Sequence, residues 1–304
     1  MSHILSFDIG GTGIKYGVVT PDGKLIFHNQ FPTPRPSAHQ GDQLLNLLIE
    51  YTIQVMAQYK IAAIGISTHG VVNTEKGEVI FSSHHLPGLK NLPIKSNLEK
   101  EFKILVFLDN DVNSAAIGEL WQGSAKKYQN FVFIALGTSI GGAIIVNRHL
   151  VRGRNHCGGE IGYLVTNEKA DKDTSVLLSG AWECYASASA LTKNYHLVKN
   201  NTSLSPDDFM IDLENNDPET CEVFNNFIFS LTSGMISLAH TLDPDAFILG
   251  GAIVNMKSKL FEPVIESYKQ RALSICMDTP IVAASLGNTA GMIGIAYTTL
   301  RRMK

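Results

Sequence analysis

Asp8-Ile9-Gly10-Gly11-Thr12-Gly13 joins two apolar runs, and its residue types suit the holding of a phosphate. Glycines let the backbone take up positive φ and bring successive N–H groups close to an anion, and the Thr12 hydroxyl adds a donor. Asp8, closing the first run, stands where a Mg²⁺ ion bridging two phosphates needs a ligand, and Lys15 follows on the second run. Glycine also collects in plain hairpin turns, so this motif alone leaves both readings open. The device recurs at Leu136-Gly137-Thr138-Ser139-Ile140-Gly141-Gly142, and a third glycine pair, Gly250-Gly251, follows the apolar residues 246–249. Two phosphate-type hairpins and a strand-Gly-Gly element suggest a duplicated α/β framework with a nucleotide between its halves.

Asn110-Asp111 offers a different chemistry. A hydroxyl attacking a phosphoryl group needs a carboxylate to orient it and take its proton, and a neighbouring amide can fix an adjacent hydroxyl. Asp111 is the candidate base, and the positive end of the helix it opens favours a carboxylate there. Either Asp111 or Asn113 could instead serve only as the helix cap. Glu160, in Gly158-Gly159-Glu160-Ile161-Gly162-Tyr163, can accept two vicinal hydroxyls with its two oxygens, although a surface turn would carry the same residues. His69, His84 and His85 lack a carboxylate or thiolate at ligand spacing and read as loop residues or sugar contacts.

These residues need a scaffold that brings strand ends and helix starts together. Residues 42–59 show helical spacing of Leu44, Leu45, Leu48, Tyr51, Val55 and Met56, and 61–66 and 104–108 read as strands. A Pro-rich loop is expected over 32–36, a loop-rich stretch over 67–92, and a helix over 96–102. The second half predicts helices over 181–193, 206–214, 218–241 and 257–276, a strand over 281–285 and a last helix from 290. Polar residues at a strand's carboxyl end, feeding a helix, occupy the usual ligand position of an α/β sheet. The expected division is a first lobe over 1–114, completed by the helix 290–304, and a second over 115–289.

At 304 residues the chain suits two domains, and 44% hydrophobic against 17% charged residues is globular. A net charge of −3 without a basic block argues against nucleic acid as a partner. No apolar run reaches the ~18 residues of a membrane span, and no signal core follows the start, so a cytoplasmic protein is expected. Cys157, Cys184, Cys221 and Cys276 are dispersed, which predicts four buried, reduced thiols and neither a disulfide framework nor a thiolate zinc site.

In this order the motifs resemble the ROK family of sugar kinases and repressors, within the two-lobed, actin-like sugar-kinase ATPase fold with its duplicated mixed β-sheet core. The resemblance runs from Asp8 nearly to the end of the chain. It implies an ATP:sugar phosphotransferase. Asp8, Gly10, Gly11, Thr12, Gly13 and Lys15 look like the first phosphate motif, Gly137, Thr138 and Ser139 the second, and Gly250 and Gly251 the adenosine-side element. Asp111 matches the catalytic Asp, and Asn110, Glu160, Tyr163 and Gly70 fall at or beside the sugar. The cofactors implied are ATP and Mg²⁺, with Asp8 toward the metal through the phosphates, and the partner is a sugar in a homodimeric enzyme. Two departures matter. The family signature usually ends in His, which with a downstream cysteine cluster helps hold zinc; here it ends in Tyr163, and residues 173–180 contain no cysteine, so no zinc is expected. His69 stands where Pro is common. The Tyr-ending signature is similar to that of bacterial β-glucoside kinases, which act on the 6-hydroxyl of the terminal glucose of cellobiose; N-acetylmannosamine kinases and glucokinases are close relatives. Family repressors carry a helix-turn-helix domain before the first motif, and only seven residues precede Asp8, so the resemblance implies an enzyme rather than a DNA-binding regulator; a sugar sensor without turnover is the rival of another class.

Overall fold

The computed structural model describes residues 2–82, 86–170 and 179–303. The chain forms two compact units, one of Met1–Tyr128, Arg148–Gly158 and Ser285–Lys304, the other of Gln129–Asn147 and Gly159–Ala284.

In the first unit β1 (His3–Ile9), β2 (Gly13–Val19) and β3 (Leu25–Pro32) form an antiparallel meander, so the loop expected over 32–36 starts one residue later than the sequence suggests. Helix α1 (Gln40–Met56) crosses to β4 (Ile61–Thr68). The loop-rich stretch contains a two-stranded ribbon, β5 (Val71–Asn73) with β6 (Glu78–Phe81), before α2 (Ile94–Phe102), β7 (Leu105–Asn110) and α3 (Asp111–Trp121). The sheet order is β3-β2-β1-β4-β7, with β4 and β7 parallel to β1. Strands covered on both faces bury apolar runs: Leu5, Phe7, Ile9, Ile64, Ile66, Val106 and Leu108 are all buried. Register aligns Asp8 with Ser67 and Ser67 with Asp109, so three polar residues form one row at the carboxyl edge of the parallel strands.

In the second unit β8 (Phe131–Leu136) and β9 (Ile140–Val146) repeat the hairpin. The two-residue β10 (His149–Leu150) opens the segment that belongs to the first unit. The single helix expected over 181–193 is two, α4 (Glu183–Ala186) and α5 (Ala188–Val198), because the Ser187 backbone turns extended and its side chain caps α5 by accepting from the Ala190 N–H at 3.1 Å. Then come α6 (Pro206–Glu214), α7 (Pro218–Leu242), β11 (Ala246–Gly250), α8 (Ser258–Arg271), which stops short of Cys276, and β12 (Ile281–Ala283). Strands β9-β8-β11-β12 repeat β2-β1-β4-β7 in order and direction, which is the expected duplication. Trp182 lies at the centre of this unit's core, against Gly234 of α7.

The last helix, α9 (Ala290–Arg302), returns to the first unit and packs along α3. Small residues make the approach possible: a Cβ on Gly294 would collide with the Ser114 carbonyl, and one on Gly118 with the Ala290 carbonyl. The expectation of four buried thiols is corrected. Only Cys276 is buried; Cys157 and Cys184 are exposed and Cys221 is half-buried, since each sits on a turn or helix face away from a core.

Candidate functional site

The first unit gathers Asp8, Lys15, Ser67, Asn110 and Asp111 around the turn 10–13. The turn closes by a Gly10 N–H to Gly13 carbonyl bond of 3.1 Å and is pinned from beyond β3 by Thr33, which donates its hydroxyl to the Gly10 carbonyl at 2.7 Å and its N–H to the Thr12 carbonyl at 3.2 Å. Thr33 carries no motif of its own and was not legible in the sequence. The expected reason for glycine is also corrected: none of Gly10, Gly11 and Gly13 lies at positive φ. What Gly11 contributes is bareness, since a Cβ built there meets nothing within 4 Å. Thr12 is exposed, so its hydroxyl is available to a ligand.

Asp8 accepts from the Ser67 hydroxyl at 2.9 Å and lies 3.7 Å from the Lys15 ammonium, on the residue opposite it in the hairpin. Its side chain is 18% exposed. Burial pushes the carboxyl above its ordinary value; Lys15 pulls it down, the Asp111 charge pushes it up, and the Ser67 hydroxyl pulls it down. A buried carboxylate beside a phosphate-type turn, opposed by burial and by its neighbour's charge, fits a divalent cation, with phosphate oxygens supplying the remaining ligands. Gly291 of α9 approaches so closely that a Cβ would stand 2.9 Å from Asp8 Oδ1.

Strand β7 runs directly into α3, and Asn110 is the helix cap in place of Asp111 or Asn113. Its Oδ1 accepts the Asn113 N–H at 3.0 Å, while its amide donates to the Gly70 carbonyl at 3.0 Å and to Asp111 Oδ1 at 2.9 Å. Asp111 Oδ1 also accepts its neighbour Val112 N–H at 2.9 Å. One carboxylate oxygen is thereby fixed, and Oδ2 has no hydrogen bond among the described residues. Gly70 holds φ 98° against the Phe81 carbonyl, a backbone place that excludes a side chain. His69 follows β4, and His84 and His85 lie outside the described residues.

In the second unit the turn 137–139 closes by a Gly137 N–H to Ser139 carbonyl bond of 3.0 Å, and Ala188 N–H of α5 donates to the Gly137 carbonyl at 3.0 Å. The first turn of an eleven-residue helix therefore abuts the turn and brings its positive end beside it, with the Ala188 N–H spent on Gly137 and the Ala190 N–H on the Ser187 hydroxyl. Thr138 and Ser139 are exposed, and a Cβ on Gly137 would stand in open space. Gly251, at φ 93°, lies against the Leu136 carbonyl so closely that a Cβ would collide with it. A cleft of about 910 Å³ runs from Gly137 and Thr138 along Ser189, Thr192, Lys193 and His196 of α5, with Ala252 beside it. Its volume suits a nucleoside phosphate.

Glu160 is exposed and precedes a 3₁₀ turn, Ile161–Tyr163, that places the Tyr163 ring 43% exposed. Burial of part of the ring raises the Tyr163 hydroxyl pKa, and the Glu183 and Glu160 carboxylates add to it. Glu183, first residue of α4, is a functional candidate that sequence reading missed; a helix-opening acid carries no signal of its own. Burial raises its carboxyl too, against a bond from the Ile140 backbone. Glu160, Tyr163 and Glu183 form a cluster of acceptors suited to hydroxyls. Among the described residues no group of three or more His, Cys, Asp or Glu is arranged to hold a metal ion, and most of 173–180, on which the expectation of no zinc rests, lies outside them. No helix among the described residues is long and apolar enough to cross a membrane.

The chain is 33% identical over 295 residues to an uncharacterized protein of Clostridium perfringens, covering 95% of each. It is 28% identical to a β-glucoside kinase of Klebsiella pneumoniae, covering 97% of this chain and 95% of the relative. Among solved structures, a protein described as a possible N-acetylmannosamine kinase from Listeria monocytogenes superposes with a TM-score of 0.87 at 25% identity, over 99% of this chain and 100% of that one. A ROK family glucokinase from Streptomyces griseus, in complex with glucose and AMPPNP, matches at 0.79 and 25% identity over 98% and 99%. The fold is the two-lobed sugar-kinase form of the actin-like ATPases. The model of the ROK family matches residues 4–302, and the chain belongs to that family.

Proposed function

We propose that this protein is an ATP-dependent sugar kinase that moves the γ-phosphoryl group to the 6-hydroxyl of a glucose-type sugar, with the terminal glucose of cellobiose or a related β-glucoside as acceptor. The observation that carries the reading is Asp111: a carboxylate with one oxygen fixed by Asn110 and Val112 and the other open, in the same unit as a bare phosphate-type turn. Gly10, Gly11, Thr12, Gly13 and Lys15 in one unit and Gly137, Thr138 and Ser139 in the other hold the phosphates, and the nucleoside lies in the cleft along α5 and Gly250-Gly251. Asp8 would hold Mg²⁺ beside the phosphates, where the cation would supply charge neutralisation. Asn110, Gly70, Glu160 and Tyr163 hold the sugar. The sugar oxygen bonds to the γ-phosphorus, the bond to the ADP oxygen breaks, and the hydroxyl proton passes to Asp111 Oδ2. In a loose transition state that proton leaves late, so a weak base suffices.

Tyr163 supports the β-glucoside acceptor, because it ends a signature that usually ends in His in the family and so resembles that of the β-glucoside kinases. The likeness to the Listeria protein keeps N-acetylmannosamine as the alternative acceptor. Action without zinc, in the cytoplasm and as a homodimer belongs to the same reading. ADP formation from ATP and Mg²⁺ across cellobiose, glucose, N-acetylmannosamine, N-acetylglucosamine and fructose, with a no-sugar control, tests it. A preference for cellobiose is expected. Preference for a monosaccharide replaces the acceptor, and ADP formation with none of them refutes the kinase.

A further inference from the structure

The row of polar residues at the edge of the first sheet ends in Asp109, which none of the chemistry above uses. Its side chain is 1% exposed, yet it is a carboxylate in a sheet interior. Its partner comes from far along the chain: Arg152 donates Nη1 to Oδ1 at 2.8 Å and Nη2 to Oδ2 at 2.5 Å, a two-pronged contact that fixes the plane as well as the position of the carboxylate. Oδ1 also accepts the Asn110 N–H at 2.8 Å. Asn110 in turn holds Asp111 Oδ1 and caps α3.

We infer that Arg152 and Asp109 are positioning residues for the reacting carboxylate, acting through Asn110 on the aim of Asp111 Oδ2. Every link is a hydrogen bond: guanidinium to Asp109, Asp109 to the Asn110 N–H, Asn110 amide to Asp111. The geometry also explains why an ion pair stands where an apolar pair would pack. A neutral pair would fill the space, but it would not fix the direction of the strand end from which Asn110 and Asp111 project. Arg302 does not substitute for Arg152. It is tied to the Thr74 carbonyl at 2.7 Å and hydroxyl at 3.1 Å and lies over the Phe107 ring. The loop that presents Arg152 is itself held, since the Gly158 N–H donates to the Arg152 carbonyl at 2.8 Å and a Cβ on Gly158 would meet the Val151 carbonyl at 2.6 Å.

The inference rests on the kinase reading, and the experiment separates the two. Three proteins are compared with the unaltered chain: Arg152→Lys, which keeps the charge and loses the fork; Arg152→Gln; and the double variant Asp109→Asn with Arg152→Gln, which leaves no uncompensated buried charge if the single change fails to fold. Each is assayed for kcat and KM of the preferred sugar, sugar Kd by calorimetry without nucleotide, ATP KM, and melting temperature, with kinetics run well below melting. Misplacing a reacting group by about 1 Å costs on the order of 100-fold, so kcat is expected to fall about 10- to 100-fold, least in Arg152→Lys, with sugar Kd and ATP KM within about threefold. A purely structural role moves the melting temperature and leaves kcat alone; kcat within twofold of the unaltered protein in a folded variant overturns the inference. If the unaltered protein forms no sugar-dependent ADP, the kinase reading has failed and this inference fails with it.

Discussion

Asp111 divides the labour between its two oxygens, one spent on Asn110 and Val112, the other open. Replacing it by Asn keeps the shape and the Oδ1 contacts but removes the base. Turnover is expected to fall about 10²- to 10⁴-fold with sugar Kd little changed, as read by ADP formation and calorimetry; near-normal turnover would remove Asp111 from its role. Asn110→Ala deletes a helix cap, which costs about 1 kcal/mol of stability in thermal melts, and releases Asp111 Oδ1, so kcat should drop more than the melt explains. The adjacency of these two residues was plain in the sequence. Which of them caps α3 was not, because the cap depends on where the strand stops, and here β7 runs through Asn110 without a loop.

At the scale of elements, the two phosphate-type turns behave differently from the third glycine pair. Gly11→Ala adds a methyl to open space, so the melting temperature should stay within the equivalent of about 0.5 kcal/mol while ATP KM rises, because the methyl occupies room meant for a phosphate. Gly251→Ala forces positive φ on a residue with a Cβ and drives it into the Leu136 carbonyl, so melting and ATP KM should both suffer. Equal effects of the two changes would contradict this distinction. Strand-turn-strand patterns made the turns visible in the sequence; the break between α4 and α5 was hidden because Ser187 and Ser189 read alike in an alanine-rich run, and only Ser187 leaves helical geometry to become a cap. Glu119 was invisible for the opposite reason. A glutamate in a helix reads as a solvated face, yet it is fully buried and accepts from Ser124 N–H and Oγ, Ser285 N–H and Oγ, and the Leu286 N–H, bonds that join stretches far apart in sequence.

For the whole molecule, the repeated strand order was legible because each half spells the same alternation of apolar runs and glycine turns. Residues 148–158 and 285–304 belong to the first unit, a membership set by long-range packing that no local pattern spells out. Acid stability belongs to this scale. Asp217 caps α7 and pairs with Lys199 at 2.6 Å; the Lys199 ammonium, the Thr220 N–H and the Thr220 hydroxyl hold its carboxyl down at about 2, against an ordinary value of 3.8. A carboxyl depressed on folding stabilises above its unfolded pKa, and that contribution is lost as pH falls from about 4 toward about 2. The melting temperature is expected to drop across this window less steeply in Asp217→Asn than in the unaltered protein, and parallel curves would refute the assignment.

Helix α9 completes the first unit, lying on α3 and bringing Gly291 against Asp8. A ribosome makes the chain in the other order. The strand bearing Asp8 emerges first and waits for some 280 residues, through the synthesis of the entire second unit, before the helix that covers its sheet appears. The unit begun first is thus the one finished last, and until then its α3 face is exposed to chaperones or to mispairing. Nascent chains halted before residue 290 should therefore protect the second unit from protease while leaving the first open to cleavage.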